Sequence, residues 1–153
     1  MRELELKIPP LALMLLTGAV MWFVSTAAPS FVWQVPNAQA ATFVFGVAGV
    51  IVAVMGVMSF RRAHTTVNPT TPQATSSLVS TGIYAHSRNP MYLGILLVLV
   101  AWAVFLANVL VFLPVVAFVA YVNRFQIKPE ERTLEALFGD KFTAYKRRVR
   151  RWA

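Results

Sequence analysis

Two short polar islands interrupt an otherwise apolar chain, and they hold the residues whose types and spacing could do chemistry. The first runs from Thr81 to Gly94 and contains Gly82, Tyr84, Arg88, Asn89, Pro90 and Tyr92. Asn89 followed by Pro90 predicts a helix start, with Asn89 as the N-cap and Pro90 as the first helical residue. The unpaired N–H groups just beyond, together with Arg88, would favour an anion such as a carboxylate. The plainer reading makes Arg88 an interfacial anchor and Asn89-Pro90 only a cap. The second island is Lys128-Pro129-Glu130-Glu131. Two carboxylates in the first turn of a helix complement its dipole, or they form a site for a cation. Adjacent helical side chains point about 100° apart. One glutamate could therefore hold a ligand while the other holds an arginine.

Other chemistries are poorly served. The chain has no cysteine, which removes thiolate metal sites, disulfides and thiol nucleophiles. His64 and His86 stand without clustered partners, so no metal site is expected. No Gly-x-Gly-x-x-Gly fingerprint, P-loop or Ser-His-Asp arrangement is present.

The elements that must position these islands are membrane helices. Of 153 residues, 58% are hydrophobic and 13% charged, against roughly 45–50% and about 25% in soluble domains. No charged side chain occurs from Ile8 to Phe60 or from Met91 to Asn123. This predicts one all-α integral membrane domain over residues 1–153, with four transmembrane helices near 9–28, 41–60, 91–107 and 109–125. Residues 9–28 read as a retained helix rather than a cleaved signal. Pro9-Pro10 suits its first turn and Pro29 its end. Residues 30–40, uncharged and with Trp33, fit an external loop. On the second span Gly49, Ala53 and Gly56 share a face that would let another helix approach closely. The polar stretch His64–Ser80 reads as an ordered cytoplasmic loop.

The stretch from Met91 to Val122 is too long for one ~30 Å crossing and fits a hairpin turning near Ala107-Asn108, with Pro114 early in the second arm. Charge supports the hairpin. Residues 124–153 carry nine basic and four acidic side chains. Two crossings return them to the side of Arg61, Arg62 and Arg88, as the positive-inside rule prefers. Both termini are then cytoplasmic. The same clustering of the net +8 charge beside spans speaks for anionic lipid rather than nucleic acid. The tail predicts two short helices. One starts at Pro129. The other is capped by Asp140 after a stop at Gly139, and its face of Phe142, Tyr145, Val149 and Trp152 suits the lipid interface.

The run Leu78-Val79-x-x-Gly82-x-Tyr84-x-x-x-Arg88-Asn89-Pro90-x-Tyr92-x-Gly94 resembles the isoprenylcysteine carboxyl methyltransferase family and the related phospholipid methyltransferases. So does Glu130-Glu131-x-x-Leu134-x-x-x-Phe138-Gly139-x-x-Phe142-x-x-Tyr145-x-x-x-Val149. The likeness covers about residues 64–152 and implies that this part binds S-adenosyl-L-methionine at the cytoplasmic face, while a lipophilic substrate enters from the bilayer. It implies cofactor contacts from Gly82, Tyr84, Arg88, Asn89, Pro90, Tyr92, Glu130 and Glu131. Arg88 and Glu131 are the expected catalytic pair, Arg88 facing a carboxylate of cofactor or substrate. Many members carry His where this chain has Asn89, which leans toward an already ionised acceptor such as a carboxylate. A prokaryotic cytoplasmic membrane is the expected location. The sequence carries no signal for oligomeric state. The rival readings are a non-catalytic lipid-binding membrane protein, a sterol-reductase-like NADPH oxidoreductase, and a small transporter. The last fits poorly with spans that lack charge.

Overall fold

The computed structural model describes residues 5–63 and 77–153. Residues 64–76, most of the expected cytoplasmic loop, lie outside the described residues, as do residues 1–4. Among the described residues the chain is all-helical. Helix α1 spans Pro10–Ala27 and α2 spans Ala38–Arg62. Helix α3 spans Pro90–Leu106, and α4 (Phe112–Val122), α5 (Lys128–Phe138) and α6 (Asp140–Arg148) complete the order. α1, α2 and the run Val109–Phe138 are long and apolar enough to cross a membrane, and α3 is a shorter apolar helix of 17 residues, about 25 Å long.

The hairpin turns where the sequence places it. Ala107 adopts a left-handed conformation, φ 48°. Asn108, almost fully buried, accepts from the Leu110 N–H at 2.9 Å and donates to the Ala28 carbonyl at 2.7 Å. The Trp33 N–H donates to the Ala107 carbonyl at 2.7 Å. The C-terminal end of α1 and the segment after it are thus tied to the α3–α4 turn.

The tail departs from expectation. It does not begin as a separate helix at Pro129: α4 runs into α5 through a π-helical turn, Asn123–Ile127. Pro129 has no N–H to offer the Phe125 carbonyl four residues back, which would normally break a helix. Here the Leu6 N–H donates to that carbonyl at 3.0 Å. The wider π turn lets the backbone continue, and the N-terminal segment supplies the missing donor. Beyond it, α5 ends at Gly139 (φ 50°) as expected. Gly139 itself occupies the N-cap of α6, with Asp140 as its first residue and no side-chain cap.

α2 packs along α3, and the seam depends on two glycines. A Cβ on Gly94 would lie 2.6 Å from the Gly49 carbonyl and 2.8 Å from Ala53, and a Cβ on Gly49 would lie 2.7 Å from the Gly94 carbonyl. The small-residue face expected on α2 is therefore used. α1 instead lies against α3 and α4 over a core that includes Met21, Leu99, Val111, Phe118 and Val122. Gly94→Val should force the α2–α3 seam apart and cost about 1–3 kcal/mol or more, read as a lower thermal unfolding midpoint in detergent; an unchanged midpoint would mean the seam is not close-packed.

Candidate functional site

The site lies where residues 77–89 meet α5 and α6. α3 starts at Pro90, and just before it the chain makes a tight turn, Gly82–Ala85. Gly82 has φ +63°, a conformation that glycine adopts freely and L side chains rarely do. That turn buries Tyr84, whose ring meets Phe60 of α2 edge-on at 5.2 Å. The Tyr145 hydroxyl of α6 donates to the Tyr84 carbonyl at 2.7 Å. Phe142, Tyr145 and Val149 pack on Leu78, Leu134 and Phe138. The apolar face of α6 therefore does not lie in the lipid interface as expected. It closes a small intramolecular core over the site, because its aromatic rings find Leu134 and Phe138 of α5 at hand.

Three chain segments converge on one carboxylate. Glu131 Oε1 accepts from Arg88 Nη2 at 2.7 Å and from Arg151 Nε at 3.2 Å, and Oε2 accepts from Arg151 Nη2 at 2.6 Å. Arg88 Nη1 also donates to the Lys146 and Val149 carbonyls at 3.1 and 2.8 Å. The backbone repeats the tie: the Arg88 N–H donates to the Arg150 carbonyl at 3.0 Å, and Asn89 Nδ2 donates to the Arg151 carbonyl at 2.9 Å. Asn89 is thus not a side-chain N-cap. Its amide holds the C-terminal segment, and Ser87 Oγ accepts from its N–H at 3.2 Å.

The two adjacent glutamates sit in opposite electrostatic surroundings. Burial alone would raise the Glu131 carboxyl, but hydrogen bonds and charge from Arg151 and Arg88 outweigh it and hold its pKa below the usual value. Glu130 receives neither arginine. Burial first, and the charge of Glu131 second, push its pKa up to about 7. Its Oε2 is buried and, among the described residues, has no hydrogen-bond partner, as is true of Arg88 Nε and the Tyr92 hydroxyl. Burial and the Glu130 charge also raise the Tyr84 hydroxyl far above its ordinary value, so it stays protonated.

These groups border a narrow cleft lined by Tyr84, Arg88, Asn89, Glu130, Glu131 and Tyr145 among others. Its enclosed volume is about 40 Å³, enough for one or two waters and far less than a nucleoside requires. Of the residues expected at the site, Tyr84, Arg88, Asn89, Glu130 and Glu131 line the cleft. Gly82 shapes the turn, Pro90 starts α3 inside the protein, and Tyr92 belongs to the core beneath. Arg151, Phe142 and Tyr145 complete the site without having been singled out for it. The two aromatics were visible in the motif, but their helix read as lipid-facing. Arg151 stands in a run of look-alike basic residues, and nothing in that run marks it.

The family model described as phospholipid methyltransferase matches residues 37–141, more than half of the chain. A protein of Haemophilus influenzae, itself described as uncharacterized, is 50% identical over 62 residues, which make up 40% of this chain and 98% of that relative. No solved structure matches the chain.

Opposite shifts on neighbouring glutamates predict a stability maximum in mildly acidic solution. Glu131, lowered when folded, stabilises above the ordinary carboxylate range, and that contribution is lost as the pH falls through its folded pKa. Glu130, raised when folded, favours the folded state fully below pH 4.5, and that contribution fades as the pH rises to about 7. Thermal unfolding in detergent across about pH 2–8 should show both limbs. Glu130→Gln should flatten the upper one, and Glu131→Gln should cost about 2–3 kcal/mol near neutrality by stranding two arginines. A Glu130→Gln profile identical to the parent would remove the basis for this assignment.

Proposed function

The chain belongs to the phospholipid methyltransferase family, and from that premise we propose that it transfers a methyl group from S-adenosyl-L-methionine to a lipophilic acceptor at the cytoplasmic membrane face. In this reading α1, α2, α3 and the stretch 109–125 form four spans. α5 and α6 stand in the cytoplasmic interface, and both termini lie on the side of Arg61, Arg62 and Arg88. The membrane is the cytoplasmic membrane of a prokaryote. The acceptor group is a carboxylate, as in isoprenylcysteine carboxyl methyltransferases, or a lipid headgroup.

The observation that carries the reading is a pair of buried, unpartnered groups of opposite sign in one cleft: Glu130 Oε2 and Arg88 Nε. An amino-acid moiety offers an ammonium and a carboxylate, the two charges that these atoms lack. Glu130 is suited to the cation and the Arg88 Nε–H to the carboxylate. Glu131 then acts as a positioning residue, fixing Arg88 so that one N–H faces the cleft while the others are engaged. Tyr84 contributes aromatic surface to the cleft wall, and Asn89 holds the C-terminal segment against it. S-adenosyl-L-methionine, when bound, supplies an electrophilic sulfonium methyl. The protein's part is to align a nucleophile with that methyl and to exclude water. A cleft of about 40 Å³ admits such a ligand only if its walls move; one wall is the segment Ser77–Val79, where Ser77 Oγ donates to the Ala63 carbonyl at 3.3 Å.

Isothermal titration of the detergent-purified protein with S-adenosyl-L-methionine and S-adenosylhomocysteine tests this. Glu130→Gln and Arg88→Gln should each weaken binding about 10–100-fold, the worth of a hydrogen bond to a charged group. Affinity for the cationic cofactor should rise as the pH passes about 7, where Glu130 ionises. NADPH should not bind. A folded protein that binds neither sulfur compound, or binds NADPH instead, refutes the methyl-transfer reading.

A further inference from the structure

α1 and α4 diverge to leave a groove of about 550 Å³ that shares no residue with the cleft. Leu13, Thr17 and Val24 line one wall, and Leu110, Phe118 and Tyr121 the other. Between Leu13 and Val24 an α-helix rises about 17 Å, close to the depth of one leaflet of a ~30 Å hydrocarbon core. Apart from Thr17, whose hydroxyl donates to the Leu13 carbonyl at 2.8 Å, the lining is apolar except at one end. There the Tyr121 hydroxyl is buried with no hydrogen-bond partner, a costly state for a polar group in an apolar setting.

That end is also where the cations stand. The Tyr121 ring lies 4.8 Å from the Phe125 ring, and the Arg124 guanidinium sits over Phe125 at 5.8 Å. Arg124 and Lys128 are exposed, and so is Lys7. Lys7 is held beside them because the Leu6 N–H donates to the Phe125 carbonyl at 3.0 Å and Gln126 Nε2 donates to the Ile8 carbonyl at 2.8 Å. Glu5 of the same segment is paired with Arg132. A second apolar groove of about 600 Å³, bordered by Trp22, Thr42 and Phe105, likewise has no charged residue in its lining. What sets the α1–α4 groove apart is the exposed Arg124, three residues beyond its lining residue Tyr121.

We propose that the α1–α4 groove is a binding site for an anionic phospholipid of the bilayer. One acyl chain lies between the helices, the phosphate faces Arg124, Lys128 and Lys7, and the Tyr121 hydroxyl donates to a phosphate or ester oxygen. This lipid is not the methyl acceptor, since its site is separate from the cleft, and the proposal does not depend on methyl transfer.

Native mass spectrometry of the detergent-solubilised protein with dioleoyl phosphatidylglycerol or dioleoyl phosphatidylcholine provides the test. The parent should retain phosphatidylglycerol in preference. The double variant Arg124→Gln/Lys128→Gln should lose about thirtyfold in affinity for it, the worth of two interfacial cations. Ala117→Phe, which fills the groove and leaves every charge in place, should also weaken retention. The control Arg61→Gln/Arg62→Gln should not. Equal retention of the two lipids by the parent, a loss in the control as large as in the double variant, or full retention by Ala117→Phe would each overturn the site.

Discussion

The carboxylate of Glu131 joins three parts of the chain that are far apart in sequence. Arg88 reaches it from the segment before α3 at 2.7 Å, and Arg151 reaches it from the C-terminal segment at 2.6 Å. A charge pair this sheltered is stabilising only when its remaining hydrogen-bond capacity is filled. Arg88 meets much of that need with the carbonyls of Lys146 and Val149. The last turn of α6 must therefore sit where those carbonyls converge on the guanidinium. This brings Tyr145 to Tyr84 and closes the cleft wall.

Once both arginines are committed to Glu131, Glu130 is left as a buried carboxylate with no cation of its own. Successive helical residues diverge by about 100°, so the arginines cannot be shared between them. The polarity of the cleft follows from this division: a compensated ion cluster on one side, and on the other an uncompensated carboxyl, the Arg88 Nε–H and two tyrosine rings. The division supports reading the cleft as complementary to a zwitterion rather than to a simple cation or anion.

The rest of the fold answers to lipid as solvent. Helices in a bilayer gain little from burying apolar side chains against one another, so close approach must come from small residues and a few internal hydrogen bonds. Gly49 and Gly94 serve the α2–α3 seam, and Asn108, Trp102 and Gln126 supply polar ties to the carbonyls of Ala28, Gly18 and Ile8. Between these ties apolar grooves remain open along the helices. The helix broken by Pro129 survives because a π turn and the Leu6 N–H absorb the missing bond.

The sequence by itself determined what depends on local pattern. Uncharged runs bounded by prolines marked the apolar helices, and the turn at Ala107-Asn108 followed from a run too long for one crossing. The small-residue face of α2 followed from spacing. The order of the two polar islands carried the family resemblance, and adjacency left room for one glutamate to hold a ligand while the other held an arginine. The tertiary structure decided whatever depends on which of several chemically equal partners meet. Arg151 was indistinguishable from Arg147, Arg148 and Arg150 until the fold placed it on Glu131. The aromatic face of α6 suited lipid and protein equally well, and the nearness of Leu134 and Phe138 settled it for protein. Asn89 fitted a cap on statistics, yet its amide went to the Arg151 carbonyl. Pro129 predicted a helix start, and only the donor from Leu6, more than a hundred residues earlier, made a continuous helix the lower-energy path. Periodicity and charge act within a segment and can be read there. Pairing across segments is set by packing, which no single segment records.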